Sequence, residues 1–247
     1  YLTGAIDRQG KTADGNTVCD YNPEEIKRKI TISTSIAPVN FGGCKINILD
    51  CPGFFDFAGD ARCAMRAAEA GMIFCTAKDG IAVGAERCWK YLKSENIPCL
   101  FYISKTDEDH GDFAGVLSAL QDKYGSAVCA VTAPMSDGTG VIDLVHNVAY
   151  QTKGNKTEKI AVPAADADMV ESLRETLFEA AAGKGLRLGL KDRTVFPVLC
   201  GAAAGGIGTE SVLRAIVDYV PSPADIGEVA TADGGKLAVN TNGPVCA

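Results

Sequence analysis

Short apolar runs alternate with amphipathic stretches along most of the chain. Ile36 to Phe41 and Lys45 to Leu49 flank Gly42-Gly43 and read as two strands of a tight hairpin. Met72 to Thr76, Cys99 to Ile103, Ala127 to Val131 and Thr194 to Leu199 have the length and composition of buried strands. Between them, Ala58 to Ala70, Ala85 to Ser94 and Phe113 to Tyr124 are predicted helices. Glu210 to Val220 is a closing helix stopped by Pro221 and Pro223. Strands and helices in this alternation predict βαβ units and a mainly parallel sheet. Two regions break the rhythm. The first thirty-five residues are polar, with turn signals at Asp14-Gly15-Asn16 and Tyr21-Asn22-Pro23 and a short helix over Glu24 to Lys29. Residues 133–193 hold a polar stretch, Gln151 to Lys159, and a helix from Asp168 to Ala181, the pattern of an inserted subdomain. From Asp225 onward the sequence reads as a linker.

Composition narrows the class. Hydrophobic residues make up 47% and charged residues 22%, an ordinary globular mix. The net charge of −7 argues against unaided coating of DNA, whose phosphates would be repelled. No apolar run approaches the ~20 residues of a membrane-spanning helix, and the first residues lack a signal-peptide pattern. The sequence also begins without methionine, so we expect it to start inside a longer protein. The ten cysteines contain no Cys-x-x-Cys pair, and His110 and His146 have no metal-binding spacing. The cysteines read as small, reduced core residues of a cytoplasmic protein.

Four short motifs could carry chemistry. Asp50-Cys51-Pro52-Gly53 fits Asp-x-x-Gly at the carboxyl end of an expected parallel strand, where Asp50 could hold Mg²⁺ through water and the Gly53 N–H could meet a terminal phosphate. The same residues also suit an ordinary turn. Ser104-Lys105-Thr106-Asp107 follows a strand. The Lys105 stem could lie along a purine, and the Asp107 carboxylate could accept two N–H groups that guanine has and adenine lacks. A helix cap is the plainer reading. Gly201-Ala202-Ala203 ends the last strand, and its small side chains let backbone N–H groups approach a base carbonyl. Thr31 could ligate Mg²⁺ or serve only as a strand threonine. Gly4 and Gly10-Lys11-Thr12 imitate a phosphate loop, but one residue too many separates the glycines, and no strand precedes or helix follows.

Taken in order, these segments resemble a GTPase domain of the elongation factor G family. Residues 14–35, with Pro23-Glu24-Glu25-Ile26-Lys27-Arg28-Lys29-Ile30-Thr31-Ile32, resemble its first switch, and Asn47 to Phe57 its second. Gly140 to Leu144, Phe196 to Gly201 and Asp218 to Pro223 match further family segments, so the resemblance covers nearly the whole chain. It is most similar to divergent paralogues of that family.

The resemblance implies an α/β fold of P-loop GTPase type: a mixed, mostly parallel sheet with helices on both faces and an inserted α/β subdomain. It divides the chain into a GTPase core over 1–132 and 194–224, an insert over 133–193, and a linker with the start of a β-barrel domain over 225–247. It implies GTP or GDP and Mg²⁺ as ligands, and the ribosome, through its large subunit and rRNA, as partner. The site residues carried over are Thr31, Asp50, Gly53, Ser104, Lys105, Asp107, Gly201, Ala202 and Ala203. The protein is expected to be a cytoplasmic monomer that hydrolyses GTP to drive translocation or ribosome recycling.

Four departures qualify this. The family's phosphate loop would lie before Tyr1, so residues 1–247 alone should bind GTP weakly. Phe54 stands where the family has a water-orienting histidine, which opens an alternative: a GTP-sensing ribosome-binding module that hydrolyses slowly or not at all. Ser104 replaces an asparagine. The insert is short around Ala182 to Gly185, where the family often has a longer acidic helical stretch.

Overall fold

The computed structural model describes residues 1–154 and 156–240. After an irregular start, helix α1 (Pro23–Arg28) is capped by Asn22, whose side chain accepts the Glu24 N–H, and it ends at Lys29 in the left-handed region (φ 56°). Strands β1 (Ser35–Phe41) and β2 (Cys44–Asp50) pair antiparallel around Gly42-Gly43, whose φ angles of 57° and 76° suit a two-residue hairpin turn.

Then come α2 (Ala58–Ala67), β3 (Gly71–Thr76), α3 (Val83–Ser94), β4 (Cys99–Ser104), α4 (Phe113–Tyr124) and β5 (Val128–Ala130). Helix α4 shows why sequence dictates element here. Phe113, Val116, Leu117 and Leu120 fall on one stripe and are all buried. The Asp112 side chain accepts the Gly115 N–H at 2.8 Å, and the helix stops at Gly125 (φ 98°).

The insert follows. Strands β6 (Thr132–Pro134), β7 (Gly140–Asp143), β8 (Val148–Lys153) and β9 (Lys156–Ile160) form a four-stranded antiparallel sheet, followed by α5 (Ala167–Ala180) and α6 (Gly185–Lys191). The polar stretch Gln151 to Lys159 is therefore a hairpin rather than a break in structure. The turn between α5 and α6 carries Gly183 and Gly185 at positive φ, with open space around both. Strand β10 (Phe196–Gly201) returns to the parallel sheet, and α7 (Thr209–Tyr219) packs beside it. Within the stretch read as a linker, α8 (Pro223–Ile226) and a hairpin of β11 (Glu228–Ala230) and β12 (Lys236–Ala238) form instead. The expected barrel strand at Asn242 to Ala247 lies outside the described residues.

The parallel sheet has the order β3-β4-β10-β5. Its two central strands are almost wholly buried, which is why they read as continuous apolar runs. Val131 serves both sheets: its N–H donates to the Val198 carbonyl (2.8 Å), and its carbonyl accepts the Leu144 N–H (3.0 Å). Among the described residues, 133–193 consequently share one core with the parallel sheet. Val141, Ile142, Leu144, Ala149, Val170 and Leu177 join Phe101, Ile103 and Leu199 in one apolar cluster. Of the cysteines, Cys75, Cys99, Cys129 and Cys200 are buried as expected. Cys44 and Cys63 are exposed, on the hairpin and on α2, which corrects the reading of these two as core residues.

Candidate nucleotide site

The residues singled out from sequence fall into two groups. The first sits at the carboxyl ends of β4 and β10, the side on which parallel sheets bind ligands. Ser104 pairs in register with Gly201 on one side and with Thr76 on the other. Its hydroxyl donates to the Cys75 carbonyl at 3.0 Å, which ties the turn to β3. The Thr106 N–H donates to the Gly201 carbonyl at 3.4 Å, so the turns Ser104 to Asp107 and Gly201 to Ala203 are linked directly. Lys105 takes a left-handed backbone (φ 60°) and pairs with Glu108 at 3.1 Å. Asp107 is exposed, and among the described residues no hydrogen bond occupies its carboxylate. Ala202 and Ile207 exchange backbone hydrogen bonds at 3.0 Å, closing a small loop around Ala203. Gln9, which sequence reasoning passed over, donates its side-chain amide to the Ala203 carbonyl at 3.2 Å. Nothing in the local sequence links two residues so far apart.

The second group surrounds the end of β2. Asp50 pairs in register with Ser35 in an antiparallel hairpin, which corrects the expectation that it ends a parallel strand: the tight turn at Gly42-Gly43 reverses the chain onto its neighbour. Its carboxyl is raised above the ordinary value, chiefly by burial, with the charges of Asp20 and Glu25 adding to it. Cys19 lies against it, and burial and Asp50 together push this thiol up to about 11. The Thr31 hydroxyl donates to Asp20 Oδ1 at 2.8 Å. Asp20, which bonds Thr31 and whose charge acts on Asp50, is another residue that sequence reasoning missed. The far end of the loop is fastened by Thr34, whose N–H donates to Asp60 Oδ2 at 3.1 Å on α2. Carboxylate and hydroxyl oxygens are the donors Mg²⁺ takes, so Asp50 and Thr31 fit that ion chemically. Among the described residues, no three acidic, histidine or cysteine side chains form a ready-made metal cage.

The described hydrogen bonds do not join β2 to the parallel sheet; α3, which packs on β3, touches the turn after β2 instead. A methyl placed on Gly84 would touch the Gly53 carbonyl at 3.9 Å and the Phe55 ring at 4.0 Å. The Arg87 guanidinium lies 4.2 Å from the centre of the Phe55 ring. Both rings are exposed, Phe54 at 55% and Phe55 at 48%. It is Phe55, not Phe54, that packs on the neighbouring helix. Gly10-Lys11-Thr12 is followed by a three-residue 3₁₀ turn over Thr12–Asp14 and not by a helix.

Known proteins similar to this chain share a family with it. Residues 1–222 match the family described as the elongation factor Tu GTP binding domain. Elongation factor G of Mycoplasma genitalium is 27% identical over 97% of this chain. That of Mycoplasma pneumoniae is 26% identical over 98%. The chain spans about two fifths of these relatives, 39% of each. The crystal structure of a Thermus thermophilus protein superimposes with a TM-score of 0.86 at 27% identity, covering 92% of this chain and 38% of the other.

Proposed function

Since this chain belongs to the elongation factor Tu GTP-binding domain family, we propose that it is the nucleotide module of a translation factor of the elongation factor G type, which hydrolyses GTP on the ribosome. The observation that carries this reading is the direct link between the turns Ser104 to Asp107 and Gly201 to Ala203, with the Asp107 carboxylate left open beside it. In this reading, Asp107 accepts the paired N–H groups of guanine, the Lys105 stem covers one face of the base, and the Ala203 N–H meets its carbonyl oxygen. Thr31 and Asp50 hold Mg²⁺, Asp50 through water. The ion, when bound, draws charge from the phosphate oxygens as the terminal bond breaks. The Gly53 N–H faces the terminal phosphate, so the turn at Gly53 and the loop around Thr31 order together and release together on hydrolysis. Residues 133–193 are the insert of that domain, and 225–247 lead to a β-barrel domain. The protein works in the cytoplasm as a monomer.

A second reading keeps nucleotide and ribosome binding but makes hydrolysis slow. Phe54 favours it, because an exposed apolar ring can neither accept nor donate a proton where a water must be oriented. Nucleotide binding and single-turnover hydrolysis by the natural full-length chain, with and without ribosomes, test both. Fast ribosome-dependent turnover supports the first reading. Tight binding with slow turnover supports the second. Absence of guanine-nucleotide binding overturns both.

A further inference from the structure

Glu25 is the one acidic side chain of α1 that is buried, at 2% exposed. Its carboxylate accepts three backbone N–H groups: Ile32 at 2.9 Å and Ser33 at 3.0 Å on Oε1, and Asn22 at 3.1 Å on Oε2. Its main-chain carbonyl accepts two more, from Lys29 and from Ile30, the latter at 3.3 Å. One residue therefore grips the chain on both sides of Thr31, and the left-handed step at Lys29 delivers the chain back to it. With residues 30, 32 and 33 held, the backbone at Thr31 is restricted on both sides, and its hydroxyl meets Asp20. Charge-assisted bonds from one carboxylate to several N–H groups hold a loop more firmly than neutral ones. The same carboxylate also closes the capping box at the start of α1.

We infer that Glu25 is a positioning residue: its carboxylate aims the Thr31 hydroxyl, which rests on Asp20 and transfers to the metal of a bound guanine nucleotide. The inference rests on the reading of Thr31 given under the proposed function. It gives Asp20 a role as well, as the acceptor that occupies the Thr31 hydroxyl until the metal arrives.

The test uses the natural full-length chain and the variants Glu25→Gln, Glu25→Ala, Thr31→Ala and the Glu25→Ala/Thr31→Ala double. Thermal melts by circular dichroism first establish that each is folded. Glutamine keeps one acceptor oxygen but turns an N–H₂ group toward another N–H, so it should lie between wild type and alanine. If the alanine variant does not fold, the glutamine variant carries the same comparisons. The first readout is hydrogen exchange at the Ile32 and Ser33 amides without nucleotide. Loss of the carboxylate should speed exchange about tenfold, the scale of one lost hydrogen bond to a charged group. The second is the Mg²⁺ concentration that half-saturates binding of GTP. Glu25→Ala and Thr31→Ala should each raise it about tenfold, and the double variant should be no worse than either single, since both remove the same contact. Unchanged exchange, an unchanged Mg²⁺ requirement in Glu25→Ala, or additive effects in the double variant would overturn the inference. A wild-type chain that binds no GTP fails at an earlier step and overturns the functional reading beneath it.

Discussion

Gly201→Ala examines how tightly the base-side turn is built. Gly201 is the buried last residue of β10, in register with Ser104. A methyl group there would stand 2.6 Å from the Tyr102 hydroxyl and 3.2 Å from the Gly208 Cα, and closer still to the Ile207 carbonyl oxygen. Carbon atoms do not approach oxygen so closely, so one of these walls has to retreat. Tyr102 is buried in the central strand, and the Ile207 carbonyl accepts the Ala202 N–H that closes the turn. Overpacking costs about 1–3 kcal/mol, and losing the turn bond adds about 1 kcal/mol. The expected loss is therefore about 2–4 kcal/mol. In urea, with a slope of about 2 kcal/mol per molar, the unfolding midpoint should fall by roughly 1–2 M at constant slope. Gly206→Ala is the comparison. Its φ of 71° is also positive, but nothing lies within 4 Å of the added carbon, so it should lose only about 1–2 kcal/mol. Equal losses in the two variants would show that backbone conformation, and not the crowded walls, sets the requirement for glycine at position 201, and the reasoning would fail.

Three further outcomes are expected. Asp107→Asn should move nucleotide preference of the full-length chain from guanine toward xanthine, because the lost paired bonds to a charged acceptor are worth roughly 1.5–3 kcal/mol each; unchanged GTP affinity by calorimetry removes Asp107 from the base site. Phe54→His should raise single-turnover GTP hydrolysis on ribosomes about tenfold or more, within the range of positioned acid–base groups; fast and equal turnover in both proteins rules out the slow-switch reading. Glu25 is held below its ordinary value of 4.5, by the Ser33 N–H most of all and by the Ile32 and Asn22 N–H groups after it. A carboxylate lowered in the folded state stabilises the fold above its unfolded value and loses that contribution as pH falls through the lowered one. Glu25→Gln should therefore be less stable than wild type at neutral pH, with the gap closing below about pH 4.5; a gap independent of pH down to acid unfolding contradicts the clamp.

Much of the parallel core was legible because its signals are local. Helix α4 matched its predicted span residue for residue, since its apolar stripe, Asp112 cap and Gly125 stop all lie within the helix or beside it. The hairpin of β1 and β2 followed from Gly42-Gly43. The hairpin of β8 and β9 was hidden for a physical reason. Much of it faces solvent, so its charged residues, among them Lys153, Lys156 and Glu158, resemble a loop. Helix α6 was missed because glycine interrupts it. Gly189 packs so closely on Val195 that a side chain there would meet Val195 at 2.6 Å, a tertiary demand that overrides helix propensity. In the candidate site, the turns at strand ends could be read from their residue types. The burial of Glu25 and the contact of Thr31 with Asp20 could not, because both depend on how the loop doubles back on itself.

The turn between α5 and α6 has a consequence for the length of the protein. Gly183 and Gly185 project into open space, and the ion pair of Lys184 with Asp192 beside them is exposed. Doubling a flexible loop costs only about 0.6 kcal/mol in closure entropy. Extra residues can accumulate or disappear at this junction while the shared core beneath and the turns at the ends of β4 and β10 stay in place. The joint is thus a natural splice point. A fluorescent reporter inserted there would ride on the domain as a passenger, and sibling chains could drift apart in size at this one place while remaining superimposable everywhere that bears on GTP.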